Sequence, residues 1–408
     1  MRCMPGTTLL HCAGPVPAWA AAMPQFVTSR CSMDAVRKPK IAVLVSFSGE
    51  GGVERLMLNL CEGLIDLGHP VDLLAIKRRS AHLKASPEAL NVVPLRASHT
   101  YASLPEVVRY LRAERPHALL AVKDRANQVA ILAGRIARTT TRIAVEIQTT
   151  ISAALGGRSS LRKAAWYLPM RLLYPMAHVV VAVSEGVARD LVEITGLPRE
   201  RIQVIRNPVV SRAMFRLARE PIGHPWYQDA STPIIIGIGR LTHQKDFSTL
   251  IRAFARVRSQ LPCRLMILGE GRDRAMLSKL AHNLGISEDV ALPGFVVNPY
   301  PLLARASLFV LSSLWEGSPT VLTEAMALGV PVVATDCPSG PREILRDGGI
   351  APLVATGDPG ALAAAIRDTL VRPPDKGALQ KEVIDYTVAE SSRRYVEVLL
   401  GPACPPQR

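Results

Sequence analysis

Two cations on one loop are the first residues whose type and spacing could do chemistry. Arg240 and Lys245 lie on a short loop that directly follows a β-branched run, Ile234–Ile238. Arginine offers a planar fork for phosphate oxygens and lysine a point charge, so the pair could hold a diphosphate. Two solvated loop cations would show the same spacing, and the spacing alone favours that plainer interpretation.

Two glutamates eight residues apart form a second candidate group. Glu316 is predicted to end a strand and enter a loop, and Pro319 suits the first turn of a helix. Glu324 then falls about one and a half turns inside that helix, whose free amides near Thr320 and Val321 would make an anion site. Glutamate pairs at this spacing often arise by chance, so the specificity lies in the whole surrounding block.

A glycine-rich segment, 48–52, stands between a predicted strand and a predicted helix. Glycines there let backbone amides approach a ligand closely, and the helix N-terminus behind them favours an anion. A tight turn with no ligand explains the segment equally well. It lacks both the G-x-G-x-x-G dinucleotide fingerprint and the Gly-Lys-Ser/Thr of a P-loop.

The elements that must position these residues follow an alternating pattern. Short β-branched runs alternate with helical patterns, which is typical of a parallel sheet covered on both faces. The first series of predicted strands is Ile41–Ser46, Val71–Ile76, Leu119–Val122, Ile143–Ile147 and Val179–Val183. The second series is Ile234–Ile238, Leu265–Leu268, Leu308–Leu311 and Val332–Ala334. The main predicted helices are Gly52–Leu67, Phe247–Gln260, Arg272–Leu284, Pro319–Leu328 and Val388–Leu400.

This pattern predicts an α/β fold with two doubly wound, Rossmann-like domains that face a central cleft. A Pro-rich, weakly periodic stretch after Asn207 indicates the boundary between them. We assign residues 33–212 to the first domain, 213–375 to the second, and 376–408 to a last helix and tail. Ligands of such sheets bind beyond the carboxyl ends of the strands, where all three candidate segments lie.

Composition narrows the class of protein. The 408 residues suit two domains, and 48% hydrophobic residues are enough for two cores. The net charge is +15, of which +11 lies between Met33 and Arg212, with 26 Lys and Arg against 15 Asp and Glu. Such a charge suits nucleic acid, an anionic membrane or a phosphorylated substrate. Only 5% of residues are aromatic and no recognition motif appears, which argues against nucleic acid.

The cysteines and the N-terminus indicate the compartment. The seven cysteines are scattered and none has C-x2-C spacing, which argues against a disulfide framework or zinc site and favours a reducing compartment. Residues 1–32 are interpreted as a disordered extension or a mis-assigned start before Met33, with a secretory signal as the alternative. No segment has the length and composition of a membrane span.

The segment from about residue 51 to 399 resembles the family 4 glycosyltransferases, which have the two-domain GT-B fold. The most specific matches are 239–246 and 316–345, the latter with the E-x7-E pattern of Glu316 and Glu324. The stretch 336–345 looks particularly like bacterial enzymes that extend lipid-linked or lipopolysaccharide glycans. The resemblance implies a first domain that binds the acceptor, a second that binds the nucleotide sugar, and a last helix that crosses back onto the first.

The resemblance also implies a role for each matching residue. Arg240 and Lys245 would hold the nucleotide diphosphate, Glu324 would accept hydrogen bonds from the ribose hydroxyls, and Glu316 would contact the donor sugar near the reacting carbon. Gly51 and Gly52 would form a glycine loop over the diphosphate. Backbone groups around the sugar and phosphate would come from Gly317, Ser318, Thr320 and Val321. Val296 would lie against the base.

One departure from the family pattern concerns the acceptor side. Many members carry a histidine after the fourth strand of the first domain, whereas this sequence reads Glu146-Ile-Gln148 there. Gln148 could still hydrogen-bond a sugar hydroxyl, and Glu146 is either a structural or an acceptor-side group.

The reaction that the resemblance implies is transfer of a hexose or N-acetylhexosamine, with retention, from a UDP-sugar to a glycan or lipid-linked glycan. No cofactor is expected, and no metal, because no D-x-D site is present. A nucleotide-sugar epimerase or a phosphorylase on the same fold is the nearest alternative, and a basic nucleic-acid-binding protein is the more distant one.

The expected location is cytoplasmic and peripheral on the inner face of the plasma membrane. The stretch from Arg158 to Tyr174 mixes cations with Trp, Tyr and Leu, as at a membrane interface. A helix packed on the sheet with a solvated face is the alternative interpretation.

Overall fold

Two parallel β-sheets organise the chain in the computed structural model, which describes residues 38–47, 52–76, 87–229 and 231–401. Within those ranges the first sheet has seven strands in the order β3-β2-β1-β4-β5-β6-β7, and each neighbouring pair is parallel. The strands are β1 Ile41–Ser46, β2 Val71–Ile76, β3 Asn91–Pro94, β4 Ala118–Val122, β5 Arg142–Ile147, β6 Val179–Ala182 and β7 Ile202–Val204.

The second sheet repeats this architecture. Its six strands, counted over the described part of the chain, follow the order β10-β9-β8-β11-β12-β13 and are again parallel. They are β8 Ile234–Ile238, β9 Arg264–Leu268, β10 Val290–Gly294, β11 Leu308–Leu311, β12 Val332–Thr335 and β13 Leu353–Val354. The strand order reverses between β1 and β4 in the first sheet and between β8 and β11 in the second, and such switch points are where ligands bind.

Helices connect the strands and cover both faces of each sheet. Those of the first domain are α1 Gly52–Asp66, α2 Leu104–Glu114, α3 Asp124–Ala137, α4 Ile151–Ala154, α5 Ser160–Leu173 and α6 Glu185–Thr195. Those that follow are α7 Arg212–Leu217, α8 Phe247–Arg258, α9 Arg274–Asn283, α10 Tyr300–Ala304, α11 Thr320–Ala327, α12 Pro341–Ile344, α13 Pro359–Val371, α14 Lys376–Lys381 and α15 Val388–Leu400. Among the described residues, no helix is long and apolar enough to cross a bilayer.

The predicted α/β architecture is confirmed, and the strands that the sequence missed are edge strands. β3 and β13 are each the outermost strand of a sheet, and their side chains are half-buried or exposed. β10 is also an edge strand and contains Pro293. Edge strands need not be continuous apolar runs, so the pattern that reveals a central parallel strand is absent from them.

Successive side chains along a strand point to opposite faces of the sheet and pack into different apolar cores. In β1, Ile41, Val43 and Val45 join an apolar cluster that continues into the second domain, whereas Ala42 and Leu44 belong to a cluster confined to the first. A third cluster lies on the opposite face of the second sheet. The two domains therefore share one of their cores.

The chain passes between the domains twice, and the two passages run side by side. Val210 and Thr387 form a parallel bridge, and the amide of Val388 donates to the carbonyl of Val210 at 3.0 Å. Helix α15 then packs on α1, where a Cβ at Gly63 would lie 2.1 Å from the Ser392 hydroxyl. The last helix therefore packs on the first domain and leaves no room for a side chain at that glycine.

Candidate active site

The loops that follow the strands of one sheet meet those of the other across a cleft. Gly52 begins α1 just after β1, and a Cβ there would lie 3.6 Å from the Thr320 hydroxyl at the start of α11. Ser184, after β6, hydrogen-bonds Ser339, after β12, at 2.6 Å between their hydroxyl oxygens. Each contact joins a carboxyl-end loop of the first sheet to one of the second, where doubly wound sheets bind ligands.

An ion pair occupies the switch point of the second sheet. The ammonium of Lys245 donates to Glu316 Oε1 at 2.5 Å, and the Ser313 hydroxyl donates to the same oxygen at 2.6 Å. Both charged side chains are largely buried. Their loops are joined by further bonds, since Gln244 Nε2 donates to the Trp315 carbonyl at 2.9 Å. The cation and carboxylate that the sequence singled out are therefore neighbours, and each neutralises the other.

Arg240 lies on the same loop with its side chain exposed. Its Nη2 is 3.4 Å from Gln244 Oε1, a weak contact that leaves the guanidinium accessible. Glu316 itself does not end a strand, as the sequence suggested, because β11 ends at Leu311 and a loop of four residues intervenes. That loop carries Glu316 out to the cleft.

The segment 317–321 brings backbone groups and hydroxyls to the same place. Thr320 and Val321 are the first residues of α11, so their amides have no acceptor within the helix. Ser318 is buried, and its hydroxyl has no hydrogen-bond partner anywhere in the described part of the chain. Free amides and an unsatisfied buried hydroxyl together form a polar cradle for an anionic or hydroxylated ligand.

Glu324 is fully buried and half satisfied. Its Oε1 accepts hydrogen bonds from Arg55 and, at 3.2 Å, from the Tyr300 hydroxyl. Its Oε2 is buried without a partner among the residues described. Burial raises the pKa of Glu324, against the opposing effects of Arg55 and Tyr300. One oxygen of this carboxylate is thus held in place and the other is left to accept hydrogen bonds.

The two domains touch directly beside Glu316. A Cβ at Gly317 would lie 2.1 Å from the Gln148 carbonyl oxygen and 2.7 Å from the Thr149 Cα. The Thr150 hydroxyl donates to the Glu316 carbonyl at 2.5 Å. The loop after β5 therefore closes over the loop that carries Glu316, with glycine at the point of closest approach.

Glu146 occupies a buried polar cluster behind this contact. Its Oε1 accepts a hydrogen bond from Gln148, whose amide also pairs with Asn207 at 3.1 and 3.2 Å. The Tyr395 hydroxyl lies close enough to the Glu146 carboxyl to interact with it electrostatically. Within the described ranges, however, neither the Tyr395 hydroxyl nor Glu146 Oε2 makes a hydrogen bond of good geometry. Burial raises the pKa of Glu146 to about 7, against the opposing effects of Tyr395 and Gln148.

This burial separates the alternatives that the sequence left open for Glu146. The side chain has no exposed surface, so it cannot reach an acceptor in this conformation, and the structure favours the structural interpretation. Gln148 is half-buried, and its backbone lies on the cleft against Gly317. A sugar contact therefore stays a prediction for Gln148 alone.

Another cross-domain contact involves Glu343, which lies on α12, beyond β12. Its carboxylate accepts from the amides of Glu185 and Gly186, at 2.9 and 2.8 Å, and from Arg206 at 2.6 Å. Those amides belong to the first turn of α6, where a helix dipole favours an anion. Glu343 therefore fastens the second domain onto a helix of the first.

Two predicted donor contacts are placed less directly. Gly51 lies outside the described residues. Val296 is half-buried two residues beyond β10, at the carboxyl edge of the second sheet. Arg55 and Tyr300 were not among the residues predicted from the sequence, although Arg55 lies in the first turn of α1, directly after the glycine-rich segment. No three His, Cys, Asp or Glu side chains of the described ranges form a group that could hold a metal ion.

Two family models match the chain, one in each domain. The model described as Glycosyltransferase Family 4 covers residues 50–211, and the model described as Glycosyl transferases group 1 covers residues 225–386. The chain belongs to the family 4 glycosyltransferases. For this glycosyltransferase, only residues 212–224 separate the two matched ranges, which together include every candidate site residue.

Two curated relatives of this glycosyltransferase, which align along most of its length, are named as transferases of bacterial glycan synthesis. N-acetylgalactosamine-N,N'-diacetylbacillosaminyl-diphospho-undecaprenol 4-alpha-N-acetylgalactosaminyltransferase of Campylobacter jejuni is 26% identical over 377 residues, covering 89% of this chain and 100% of that protein. Lipopolysaccharide core biosynthesis glycosyltransferase LpsE of Rhizobium meliloti is 28% identical over 358 residues, covering 86% of this chain and 94% of that protein.

Solved structures confirm the GT-B fold. The crystal structure of Anabaena Alr3699/HepE in complex with UDP superposes with a TM-score of 0.71 at 20% sequence identity. The superposition covers 89% of this chain and 100% of that one.

Proposed function

We propose that this glycosyltransferase moves a hexose or N-acetylhexosamine, with retention, from a UDP-sugar to a hydroxyl of a lipid-linked glycan. The observation that carries the proposal is the cluster at the second switch point, where Arg240, Lys245 and the first amides of α11 surround one cleft. Cations and free amides together suit a diphosphate, and the buried Glu324 suits a polyhydroxylated group.

The chemistry follows from where charge develops. The bond between the sugar C1 and the phosphate oxygen breaks, and its electron pair leaves with the diphosphate. The acceptor oxygen forms the new bond to C1 on the same face, and its proton passes to the departing phosphate oxygen. Arg240, Lys245 and the α11 amides lie where they would meet the growing negative charge, so they lower the barrier more than they tighten substrate binding.

The proposal needs Lys245 to change partners. In this structure its ammonium is bound to Glu316, and an arriving diphosphate competes for it. Release of Glu316 Oε1 would free a carboxylate oxygen for a sugar hydroxyl beside the reacting carbon. Binding of diphosphate and of sugar are therefore expected to reinforce each other, and a nucleoside diphosphate without sugar should bind less tightly than the sugar nucleotide.

The same cations make a divalent metal unnecessary in this proposal. They supply two positive charges to the leaving group, which is the part that a metal ion plays in other transferases. Turnover is therefore expected to persist in excess EDTA. A complete loss of turnover that added Mg²⁺ or Mn²⁺ restores would contradict this part of the proposal.

A donor screen tests the proposal without knowledge of the acceptor. The chain is incubated with a set of UDP- and GDP-sugars, and slow release of nucleoside diphosphate is measured for each. We expect release from UDP-hexoses or UDP-N-acetylhexosamines, and a strong reduction in the Lys245→Ala variant. If no sugar nucleotide is either bound or hydrolysed, the proposal is wrong.

The acceptor part of the proposal draws on the relatives. The Campylobacter relative is named for a diphospho-undecaprenol acceptor, and the Rhizobium relative for the lipopolysaccharide core. A lipid-linked glycan carries anionic phosphate and lies at a membrane, both of which suit the basic first domain. Radiolabel transfer into a lipid extract, compared with a water-soluble glycan, tests this part. Retention is read from the anomeric configuration of that product.

Helix α5 is the surface that we propose meets the membrane. Of its residues only Met170 is buried, whereas Leu161, Leu168 and Leu172 expose 84%, 56% and 63% of their surface. Spacings of seven and four residues place these leucines on one face. The segment 158–173 contains Arg158, Arg162 and other cations and no acidic residue. Exposed leucines flanked by cations alone suit an anionic lipid surface.

Flotation with liposomes tests the membrane surface. We expect the protein to float with vesicles of phosphatidylglycerol and phosphatidylethanolamine and to stay behind with neutral phosphatidylcholine vesicles. The double variant Leu161→Ser and Leu168→Ser should lose flotation, whereas Leu284→Ser, an exposed leucine of the second domain, should not. Unchanged flotation of the double variant would exclude α5 as the docking surface.

A further inference from the structure

Arg55 reaches across the cleft to a residue of the other domain. It lies on α1, in the first domain, and its guanidinium binds Glu324 Oε1 on α11, in the second. The same guanidinium lies over the Tyr300 ring, 5.3 Å from its centroid. About a quarter of the Arg55 side chain is exposed, whereas the Glu324 side chain is almost fully enclosed. A cation from one domain thus covers a buried carboxylate of the other.

The carboxylate has two oxygens in different states. Oε1 accepts from both Arg55 and the Tyr300 hydroxyl, and Oε2 is buried with no partner in any of the described ranges. A buried acceptor without a partner is costly, and native proteins seldom keep one unless a ligand satisfies it. Two donors on Oε1 also fix the plane of the carboxylate, so Oε2 points in one direction.

Without Arg55 the Glu324 carboxylate would take up a proton more readily. Burial raises the pKa of Glu324, and Arg55 is the nearby charge that opposes this effect. A buried acid that loses its counter-ion tends to take up a proton. A protonated Glu324 would be a weaker acceptor, and its orientation would no longer be set from the opposite domain.

We propose that Arg55 is a positioning residue for nucleotide recognition, which holds Glu324 ionised and oriented so that Oε2 accepts a ribose hydroxyl when the domains are closed. This inference rests on the proposed function, because it requires that a nucleotide occupies this cleft. It adds that the ribose is recognised by both domains acting together. An open enzyme, in which Arg55 is withdrawn, would then discriminate poorly between ribose and deoxyribose.

The ratio of two affinities tests this. The dissociation constants of UDP and of its 2′-deoxy and 3′-deoxy forms are measured by calorimetry, and the same set is run for GDP. Hydrogen bonds to a charged acceptor are strong, so we expect the wild-type chain to lose roughly ten-fold or more in affinity for the deoxy form that removes the contact. In Arg55→Ala this ratio should fall to about two-fold, and Arg55→Lys should restore part of it.

A matched control separates positioning from a merely structural role. Arg206→Ala removes another cross-domain pair of an arginine with a glutamate, at Glu343. Glu343 keeps its bonds to the amides of Glu185 and Gly186 in that variant, so the domains should stay closed and the ribose ratio should keep its wild-type value. If Arg55 only supported the fold, its loss would weaken ribonucleotide and deoxynucleotide equally. An unchanged ratio in Arg55→Ala, or the absence of any ribose preference in the wild type, would overturn the inference while the proposed function stands. A wild-type chain that binds neither UDP nor GDP would refute the proposed function itself.

Discussion

A single methyl group at Gly317 should hold the cleft open. The Cβ of an alanine there would lie 2.1 Å from the Gln148 carbonyl oxygen and 2.7 Å from the Thr149 Cα, and real Cβ contacts are essentially never below 3.0 Å. Both neighbours are backbone atoms of the opposite domain, so no side chain can turn away. The two loops must therefore separate by roughly 1 Å.

That separation sets the size of the effect. A displacement of about 1 Å of catalytic groups can cost about 10²-fold in rate, which corresponds to roughly 2.7 kcal/mol in the barrier. We therefore expect Gly317→Ala to lower kcat/KM for the sugar nucleotide by about 10²-fold. The dissociation constant of UDP should rise by only about ten-fold, the part that Arg55 contributes from the first domain, because Arg240 and Lys245 belong to the second domain alone.

The assay is steady-state release of UDP, with calorimetry for UDP binding and thermal unfolding to confirm the fold. Gly223→Ala is the matched control, since in the described structure no atom beyond its two chain neighbours lies within 4 Å of a Cβ placed there. It should retain wild-type turnover. A folded Gly317→Ala variant with turnover within three-fold of wild type would refute the reasoning that the closed cleft is the reactive state.

Three further predictions follow from the same cleft. Arg240→Ala and Lys245→Ala should each lower kcat by 10²–10³-fold, about 2.7–4 kcal/mol, and near-normal turnover in both would remove their assignment to the diphosphate. The unfolding temperature should be unchanged in Arg240→Ala and lower in Lys245→Ala, which leaves the largely buried Glu316 without its cation. Glu343→Ala should weaken domain closure and so raise KM for the sugar nucleotide. Weaker closure would appear as a larger radius of gyration in solution scattering at saturating UDP, and an unchanged radius would contradict this prediction. Because burial holds the pKa of Glu146 near 7 against an ordinary value of 4.5, the folded chain binds more protons between those values, and its stability falls as pH rises through them. Glu146→Gln should abolish that loss, up to roughly 3 kcal/mol, so its melting temperature should drop less than that of wild type between pH 5 and 7.5.

The central strands could be predicted from the sequence because burial on both faces requires a nearly continuous run of apolar residues. β8 is a continuous apolar run, and β1 and β2 are apolar apart from Ser46 and Asp72; the predicted bounds of all three agree with the structure. β3 and β13 could not be predicted in this way, because one side of each has no neighbouring strand and their side chains are partly exposed.

The candidate site divides in the same way between local and long-range information. Lys245 and Glu316 each belong to a short motif, so their chemistry could be predicted from neighbouring residues. That they bind each other depends on how β8 and β11 pair, which no local pattern contains. The partnership of Arg55 with Glu324 spans 269 positions and two domains, so only the assembled structure reveals it.

Glu146 shows why a residue near the carboxyl end of a strand need not face the ligand. Its position just before Gln148 matches the place of a family histidine, which suggested a role at the acceptor. The helix that buries it, α15, comes some 250 residues later and packs back onto the first domain. The carboxyl and the Tyr395 hydroxyl interact beneath the cleft, and this contact depends on the return of the chain.

The surplus positive charge of the first domain has two structural explanations, and they make different predictions. Several cations donate to backbone carbonyls at or just beyond helix ends, where the helix dipole favours positive charge. These bonds are Lys38 to Leu67, Arg112 to Ile136 and Arg171 to Ile194. Cations used in this way stabilise the fold and attract little else.

The cations at the start of α5 are of the other kind. Arg158 and Arg162 are exposed and form no ion pair with the rest of the described chain, and the exposed leucines lie beside them. If this surface alone meets anionic lipid, replacing Arg158, Arg162 and Lys163 with glutamine should abolish flotation and leave thermal stability unchanged. Each cation near such a surface contributes about 1 kcal/mol, so the triple variant should bind roughly 10²-fold more weakly. An equal loss on removing helix-end cations such as Arg112 would instead show that the whole charge of the domain is responsible.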